Sequence, residues 1–249
     1  MVVRNRQATI RKALESVLSQ RHRDIELIVI DGASTDGTLE VIGEYATHID
    51  TFISEPDQGP YDALNKGLNL ATGEVIGCLH SDDQFADALA LTRVDSILTA
   101  TGAHVAYGDL VYVQKDNPLQ VVRYWNAGPY ARHALKQGWM PPHPTFYARR
   151  SLYQRYGTFD TRFKISADYD SMLRMLLQGN ASCAYIPEVQ VHMAVGGLSN
   201  RSVANIMKKS WEDLNIMRAH GVGGLGTLAF KNLRKVHQFV GKSYRIAGE

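Results

Sequence analysis

The chain has 249 residues, 45% of them hydrophobic and 21% charged, with a net charge of +2. That composition is globular and leaves room for one sizeable core, in one large domain or one domain with a small appendage. It excludes low-complexity, repeat and transmembrane-helix classes, since no run of eighteen apolar residues occurs.

The first half alternates between two periods. Gln7 to Gln20 places Ile10, Leu14, Val17 and Leu18 on one helical face. Ile25 to Ile30 is a short β-branched apolar run, which predicts a buried strand. A helix over 38–46, a short strand over 51–54, a helix over 61–71 stopped by Gly73 and a buried strand over 74–79 follow. A helix over 86–98 then turns Leu89, Val94, Ile97 and Leu98 inward. Such alternation implies right-handed crossovers on a mostly parallel, Rossmann-like α/β sheet flanked by helices. No G-x-G-x-x-G follows the first strand, so a dinucleotide site is not supported.

The second half is less regular. Strands are predicted over 105–113, 121–125 and 181–186, with a loop-rich stretch over 128–144 and helices over 168–177, 202–220 and 228–240. Gly221 to Gly226 reads as a hinge. Charge divides unevenly: residues 200–249 hold nine Lys/Arg against three Asp/Glu, and the remainder eighteen against twenty-two. A basic tail suits an anionic lipid or phosphate surface, or is simply a solvated face. Cys78 and Cys183 show no metal or disulfide spacing. With Val2-Val3 running straight into Arg4 and Arg6, no signal peptide is read, and a reducing cytoplasm is expected.

Ligands of open parallel sheets bind beyond the carboxyl ends of the strands. Asp31, Asp57 and Asp82-Asp83 fall at such ends. One aspartate there is ordinary turn chemistry. The doubled pair is different, because adjacent carboxylates retain a proton or recruit a cation. Mg²⁺ or Mn²⁺ takes oxygen ligands and shares its shell with phosphates, which suits a nucleotide diphosphate. Asp83 is then a metal ligand, and Asp82 binds a ribose hydroxyl or the metal through water.

The runs VVRNRQATIRKALESVLSQ, ELIVIDGASTDGTLEVI and DQGPYDALNKGLNLATGEVIGCLHSDD occur in this order. YGDLVYV, HPTFYARRSLYQRYGTFD, ISADYDSMLRML and GGLSN follow them. The ordered set resembles the family 2 glycosyltransferases of GT-A fold, in the bacterial branch that builds polysaccharide and glycolipid glycans. The resemblance covers roughly residues 2–200. It implies a domain over 1–200, with a nucleotide-sugar half over 1–110 and an acceptor half over 111–200. Residues 201–249 are left as a basic helical extension.

The resemblance also implies roles. Asp31 contacts the donor nucleoside, while Asp36 and Thr38 cap the next helix. Asp57, Gly59 and Asn65 line the donor pocket. Tyr61 stacks or packs there, and Lys66 reaches a phosphate or faces solvent. Ser81-Asp82-Asp83 stands in the place of the D-x-D metal motif. Asp168 is the base, with Asp170 the alternative, because the family's usual Glu is Ala167 here. His143, between two prolines, binds acceptor or diphosphate or is a plain loop histidine. His192 is structural, and His80 packs on the sheet edge.

The activity implied is inverting, metal-dependent sugar transfer from a UDP- or GDP-sugar to a glycan or lipid-linked hydroxyl. The rival readings are a metal-dependent nucleotide-sugar hydrolase, a non-catalytic binding module and a nucleotidyltransferase. The last lacks a Gly-rich triphosphate loop. No nucleic-acid partner is expected. A stripe of Leu228, Leu233, Val236, Phe239 and Val240, beside Lys231, Arg234, Lys235 and Lys242, suits the inner face of a membrane. Packing on the catalytic domain or on a second copy in a homodimer is the alternative.

Overall fold

The computed structural model describes residues 1–115, 117, 120–196 and 202–234. The apolar run after Ile25 forms strand β2 (Ile28–Asp31), buried at every position. It pairs in parallel with β1 (Val2–Val3) and β3 (Thr51–Ser54), Asp31 lying opposite both Val3 and Ser54. This register sets the chain after each strand on one edge. Helix α1 (Ile10–Leu18) buries Ile10, Ala13, Leu14 and Val17, the i, i+3, i+4, i+7 face. Helix α2 (Thr38–Gly43) follows β2, and α3 (Pro60–Leu70) packs on β1 and β2. Helix α3 ends where Ala71 turns extended, ahead of the expected stop at Gly73.

The predicted strand over 74–79 is split. Only β4 (Val75–Ile76) forms, and it pairs antiparallel with β8 (Tyr147–Arg149). Beyond it the chain changes partner, and His80 bridges in parallel to Val2. Gly77 lies at the crossing, where a Cβ would come within 2.5 Å of the Tyr147 ring. After the short β5 (Gln84–Phe85), helix α4 (Ala90–Thr101) starts later than predicted and ends on Gly102 in the left-handed region. Val94 and Leu98 are buried there, but Leu89 is 39% exposed, because it precedes the helix.

The second half forms a mixed sheet in the order β4-β8-β6-β9-β5, with β7 (Val121–Trp125) on β6 (Val105–Val113). Only β6 with β9 (Cys183–Ala194) is parallel in it; the other pairs are antiparallel. Strand β9 runs well past the predicted end at Ile186. Helix α5 (Arg150–Tyr156) follows β8, and α6 (Ala167–Leu173) continues into a π-turn over Arg174–Gln178.

Helices α7 (Val203–Ala219) and α8 (Leu225–Leu233) pack back onto this half. Ile216, Met217 and Val222 share a core with Leu135, Tyr169, Leu173 and Leu176, and Leu228 packs against it. Gly138 meets α8 so closely that a Cβ would lie 2.6–2.9 Å from Lys231. The expected interfacial stripe is therefore not intact, because Leu228 and Lys231 face inward. Leu233 and Arg234 are exposed, and Val236, Phe239, Val240, Lys235 and Lys242 lie outside the described residues, as does most of the G-G-L-S-N segment. Among the described residues no helix is long and apolar enough to cross a membrane.

Candidate active site

A cleft of 1370 Å³ opens along the carboxyl edge of β1–β3 and runs across to α6, α7 and α8. Arg4, Asp57, Gly59, Asp82, Asp83, His143 and Asp168 all line it.

Asp83 is 1% exposed. Its Oδ1 accepts the Ala194 N–H at 3.2 Å, and its Oδ2 has no hydrogen-bond partner. Burial, and then the charge of Asp82, hold its carboxyl well above the usual range. Asp82 is partly exposed and faces Arg6 Nε at 3.7 Å. A buried orphan oxygen beside a second carboxylate is the donor set a hard divalent cation takes. Among the described residues no group of three acidic, His or Cys side chains could hold a metal alone. Asp82 and Asp83 thus fit a cation whose remaining ligands come from substrate and water.

Asp168 is the second residue of α6, whose first turn it shares with Asp170. The Tyr61 hydroxyl lies 2.7 Å from the Ile165 carbonyl and 3.1 Å from Asp168 Oδ1, so Tyr61 holds the carboxylate's orientation. Burial, then the charge of Asp168, raises the Tyr61 phenol well above its usual range and keeps it a donor. Asp170 points away. It takes Arg174 Nε at 2.9 Å and His220 Nε2 at 2.8 Å, and it does not line the cleft. Burial alone would raise its carboxyl, but these two partners carry it below its usual value. Ala167 is fully buried and fills core.

His143 is 8% exposed on a short 3₁₀ turn, 5.9 Å from the His80 ring and edge-on to Phe159 at 5.6 Å. Burial lowers its pKa; burial and His143 together push His80 down to about 4. His192, 9% exposed on β9, does not line the cleft.

Three expected donor contacts have other work. Asp31 is fully buried and takes the Ser34 N–H at 2.9 Å, the Ser54 hydroxyl at 2.7 Å and the Ser34 hydroxyl. It fixes the loop that shapes the edge, and its own oxygens do not reach the cleft. Asn65 clamps Phe159, giving to its carbonyl at 2.8 Å and accepting its N–H at 2.9 Å. Lys66 pairs with Glu55 at 2.7 Å and gives to the Pro56 carbonyl at 3.0 Å. Asp57 does line the cleft, its Oδ1 accepting the Gly59 N–H at 2.9 Å. Asp36 caps the turn into α2 through the Thr38 N–H at 3.0 Å and the Thr38 hydroxyl.

Glu212 on α7 escaped the sequence reading. It is 2% exposed and accepts the N–H groups of Lys164, Ile165 and Ser166, each at 2.9 Å. Its position in an ordinary amphipathic helix carries no motif; only pairing across the fold reveals it.

The model of the family "Glycosyl transferase family 2" matches residues 1–164. The chain belongs to that family. A PGL/p-HBAD biosynthesis glycosyltransferase of Mycobacterium bovis is 30% identical over 204 residues, 79% of this chain and 76% of that one. An uncharacterized glycosyltransferase of Mycobacterium tuberculosis is 31% identical over 170 residues, 68% of this chain and 64% of that one. Among solved structures, residues 1–349 of S. aureus TarS in complex with UDP-GlcNAc superpose with a TM-score of 0.68 at 18% identity. That match covers 89% of this chain and 64% of TarS 1–349. The mannosyltransferase PcManGT of Pyrobaculum calidifontis, in complex with GDP-Man and Mn²⁺, gives 0.65 at 20% identity, over 96% and 67% of the two chains. At these identities the likeness is one of fold, the GT-A fold.

Proposed function

We propose that this family 2 glycosyltransferase is an inverting enzyme that moves a sugar from a UDP- or GDP-sugar to a hydroxyl of a glycan or lipid-linked acceptor. The observation that carries the reading is the pair of carboxylate stations on one cleft: Asp82-Asp83 with its orphan Oδ2, and Asp168 held by Tyr61. The donor half is 1–110 and the acceptor half 111–200. Asp168 takes the proton of the acceptor hydroxyl, whose oxygen attacks the anomeric carbon from the face opposite the leaving group. The bond to the diphosphate breaks, and the configuration inverts. General base catalysis of this kind contributes about 10²–10⁴-fold. A Mn²⁺ or Mg²⁺ bound at Asp83, with Asp82 beside it, would neutralise charge on the departing diphosphate. Asp57 and Gly59 shape the donor pocket, and the buried His143 adds a polar side chain to its wall.

Beyond the acceptor half, the two C-terminal helices favour attachment at a membrane surface. The exposed surface of α7 and α8 carries Val203, Met207, Trp211, Phe230 and Leu233, all at least 60% exposed. The names of the mycobacterial relatives place those proteins in biosynthetic glycosyl transfer, in keeping with a glycolipid or polysaccharide role.

The test is product analysis. Purified protein with Mn²⁺ is incubated with UDP-GlcNAc, UDP-glucose or GDP-mannose, with and without a lipid extract as acceptor. Acceptor-dependent sugar transfer with an inverted anomeric centre is expected. Release of free sugar at the same rate without acceptor would replace the reading with hydrolysis.

A further inference from the structure

Strand β6 is buried at every position but one, Tyr112. That ring lines the cleft together with Asp83 and Asp168. The strand pairing aims it there. Tyr112 lies opposite Met193 on β9 and Arg123 on β7, and both partners also line the cleft. Residues paired across a sheet turn their side chains to one face. The ladder with β7 then shifts register between Tyr112 and Val113, skipping Val122, and such a bulge re-aims side chains beside a site. Arg123 Cζ stands 4.6 Å from the centre of the Tyr112 ring and 5.5 Å from that of Trp125, which braces the phenol.

The hydroxyl end has no structural work. Tyr107 on β6 and Tyr185 on β9 give their hydroxyls to the Gly128 carbonyl at 2.8 Å and to Asp109 at 2.7 Å. The Tyr112 hydroxyl has no hydrogen-bond partner among the described residues. A tyrosine set this far into a fold ordinarily finds one, so its oxygen marks a place for a polar group of a ligand. That place is defined on two sides. Asp83 is bonded to the N–H of Ala194, the residue after Met193. Burial raises the Tyr112 phenol, Arg123 lowers it, and the charges of Asp83 and Asp168 both raise it, so the hydroxyl keeps its proton within reach of both carboxylate stations. In the transferase reading the leaving diphosphate lies at Asp83 and the attacking hydroxyl at Asp168. The ring of the transferred sugar then fills the space between them.

We propose that the Tyr112 hydroxyl hydrogen-bonds a hydroxyl of the donor's sugar ring and so helps to select the sugar. The inference deepens the transferase reading and rests on it for the position of the sugar, but its test measures binding without turnover.

Tyr112→Phe keeps the ring, its packing and the Arg123 contact and removes only the oxygen. Calorimetric titration in Mn²⁺ compares wild type and variant with UDP, GDP, UDP-GlcNAc, UDP-glucose and GDP-mannose. The sugar nucleotide that wild type binds best should bind the variant about fivefold more weakly, the loss of one neutral hydrogen bond. The matching bare nucleotide should bind within twofold of wild type. Wild type should show the same fivefold loss with one monodeoxy form of that donor, and the variant should bind that form as well as it binds the parent. A variant that binds the sugar nucleotide as tightly as wild type overturns the contact, and a raised acceptor KM in it would give the hydroxyl to the acceptor. Equal weakening of bare and sugar nucleotide also overturns it and gives the hydroxyl to the diphosphate. Hydrolysis without transfer by wild type would instead replace the transferase reading, and the binding comparison would still decide Tyr112.

Discussion

The Glu212 carboxylate accepts the Ser166 N–H at 2.9 Å, across 46 residues of sequence, at the residue that precedes α6. The same carboxylate takes Ile165 and Lys164, and the Ile165 carbonyl takes the Tyr61 hydroxyl that also touches Asp168. One buried acid thus positions the loop on which the proposed base depends. In Glu212→Gln the amide nitrogen faces a backbone N–H, and a buried donor left unpaired costs about 1–3 kcal/mol. We expect kcat to fall about tenfold, as displacement of catalytic groups does, with donor KM within twofold. A folded variant with unchanged kcat, or one whose donor KM rises in step, would make Glu212 merely structural.

Asp168 and Asp170 separate by their partners. Asp168→Asn keeps an oxygen for the Tyr61 hydroxyl and loses the proton acceptor. Its kcat should fall about 10²-fold or more with its melting temperature close to wild type. Asp170→Asn leaves Arg174 and His220 without their carboxylate. It should lower the melting temperature and spare kcat at low temperature. Steady-state kinetics and thermal melts on both variants decide it, and the opposite pattern would move the base to Asp170.

The parallel edge was legible because its signals are local. Strand-like runs marked Thr51–Ser54 there, and Val105–Val113 in the mixed sheet, to the residue. The strand over 74–79 was not, because its split depends on Tyr147 meeting Gly77, a contact between distant residues. The site divides in the same way. Asp57, Asp82, Asp83 and Asp168 stand on the cleft, where strand ends and motif order put them. Asp31, Asn65 and Lys66 have the right motifs but spend their polar atoms on Ser34, Phe159 and Glu55. Glu212 acts through tertiary contacts, which spacing along one helix does not encode.

Asp83 carries a stability cost that a bound cation would offset. Its Oδ2 is buried without a hydrogen bond, and its neighbour is Asp82. Asp83→Asn keeps an acceptor for the Ala194 N–H and removes the buried charge. In EDTA this variant should melt higher than wild type, because an uncompensated buried charge is lost. Wild type with nucleotide should melt higher when Mn²⁺ is added, and Asp83→Asn should lose that rise. A lower melting temperature in EDTA would mean that the carboxylate is already compensated without metal.

Acid stability should report on Asp213. Burial would raise its carboxyl, but Lys231 and Lys209 outweigh this and hold it well below the ordinary value of 3.8. A depressed carboxylate stabilises the fold above its unfolded pKa, and that stability drains away as pH falls below about 4. Wild type should therefore lose melting temperature steeply from pH 4.5 to 3. Asp213→Asn should start lower at pH 7 and fall less steeply over that window. Parallel curves for the two proteins would show that the Asp213 pair contributes nothing to the pH dependence.

The exposed face of α7 supplies the last prediction. Val203, Met207 and Trp211 recur at four-residue spacing and are 74%, 68% and 65% exposed. On α8, Leu225, Phe230 and Leu233 are 67%, 60% and 62% exposed. The two acids of α7, Glu212 and Asp213, are both buried, whereas Lys208, Arg218 and Arg234 are exposed. That surface therefore shows apolar and cationic groups with no exposed acid on either helix, the composition of an interfacial helix. The protein should co-sediment with vesicles rich in anionic lipid and less so with neutral ones. Each cation near the surface adds about 1 kcal/mol, weakened by salt. Replacing Met207 and Trp211 together by serine should lower co-sedimentation severalfold at unchanged melting temperature, since neither side chain is in the core. Transfer to a soluble acceptor should persist in that variant while transfer to a vesicle-borne acceptor falls. Equal vesicle binding by variant and wild type would free this face for a protein partner or a second copy.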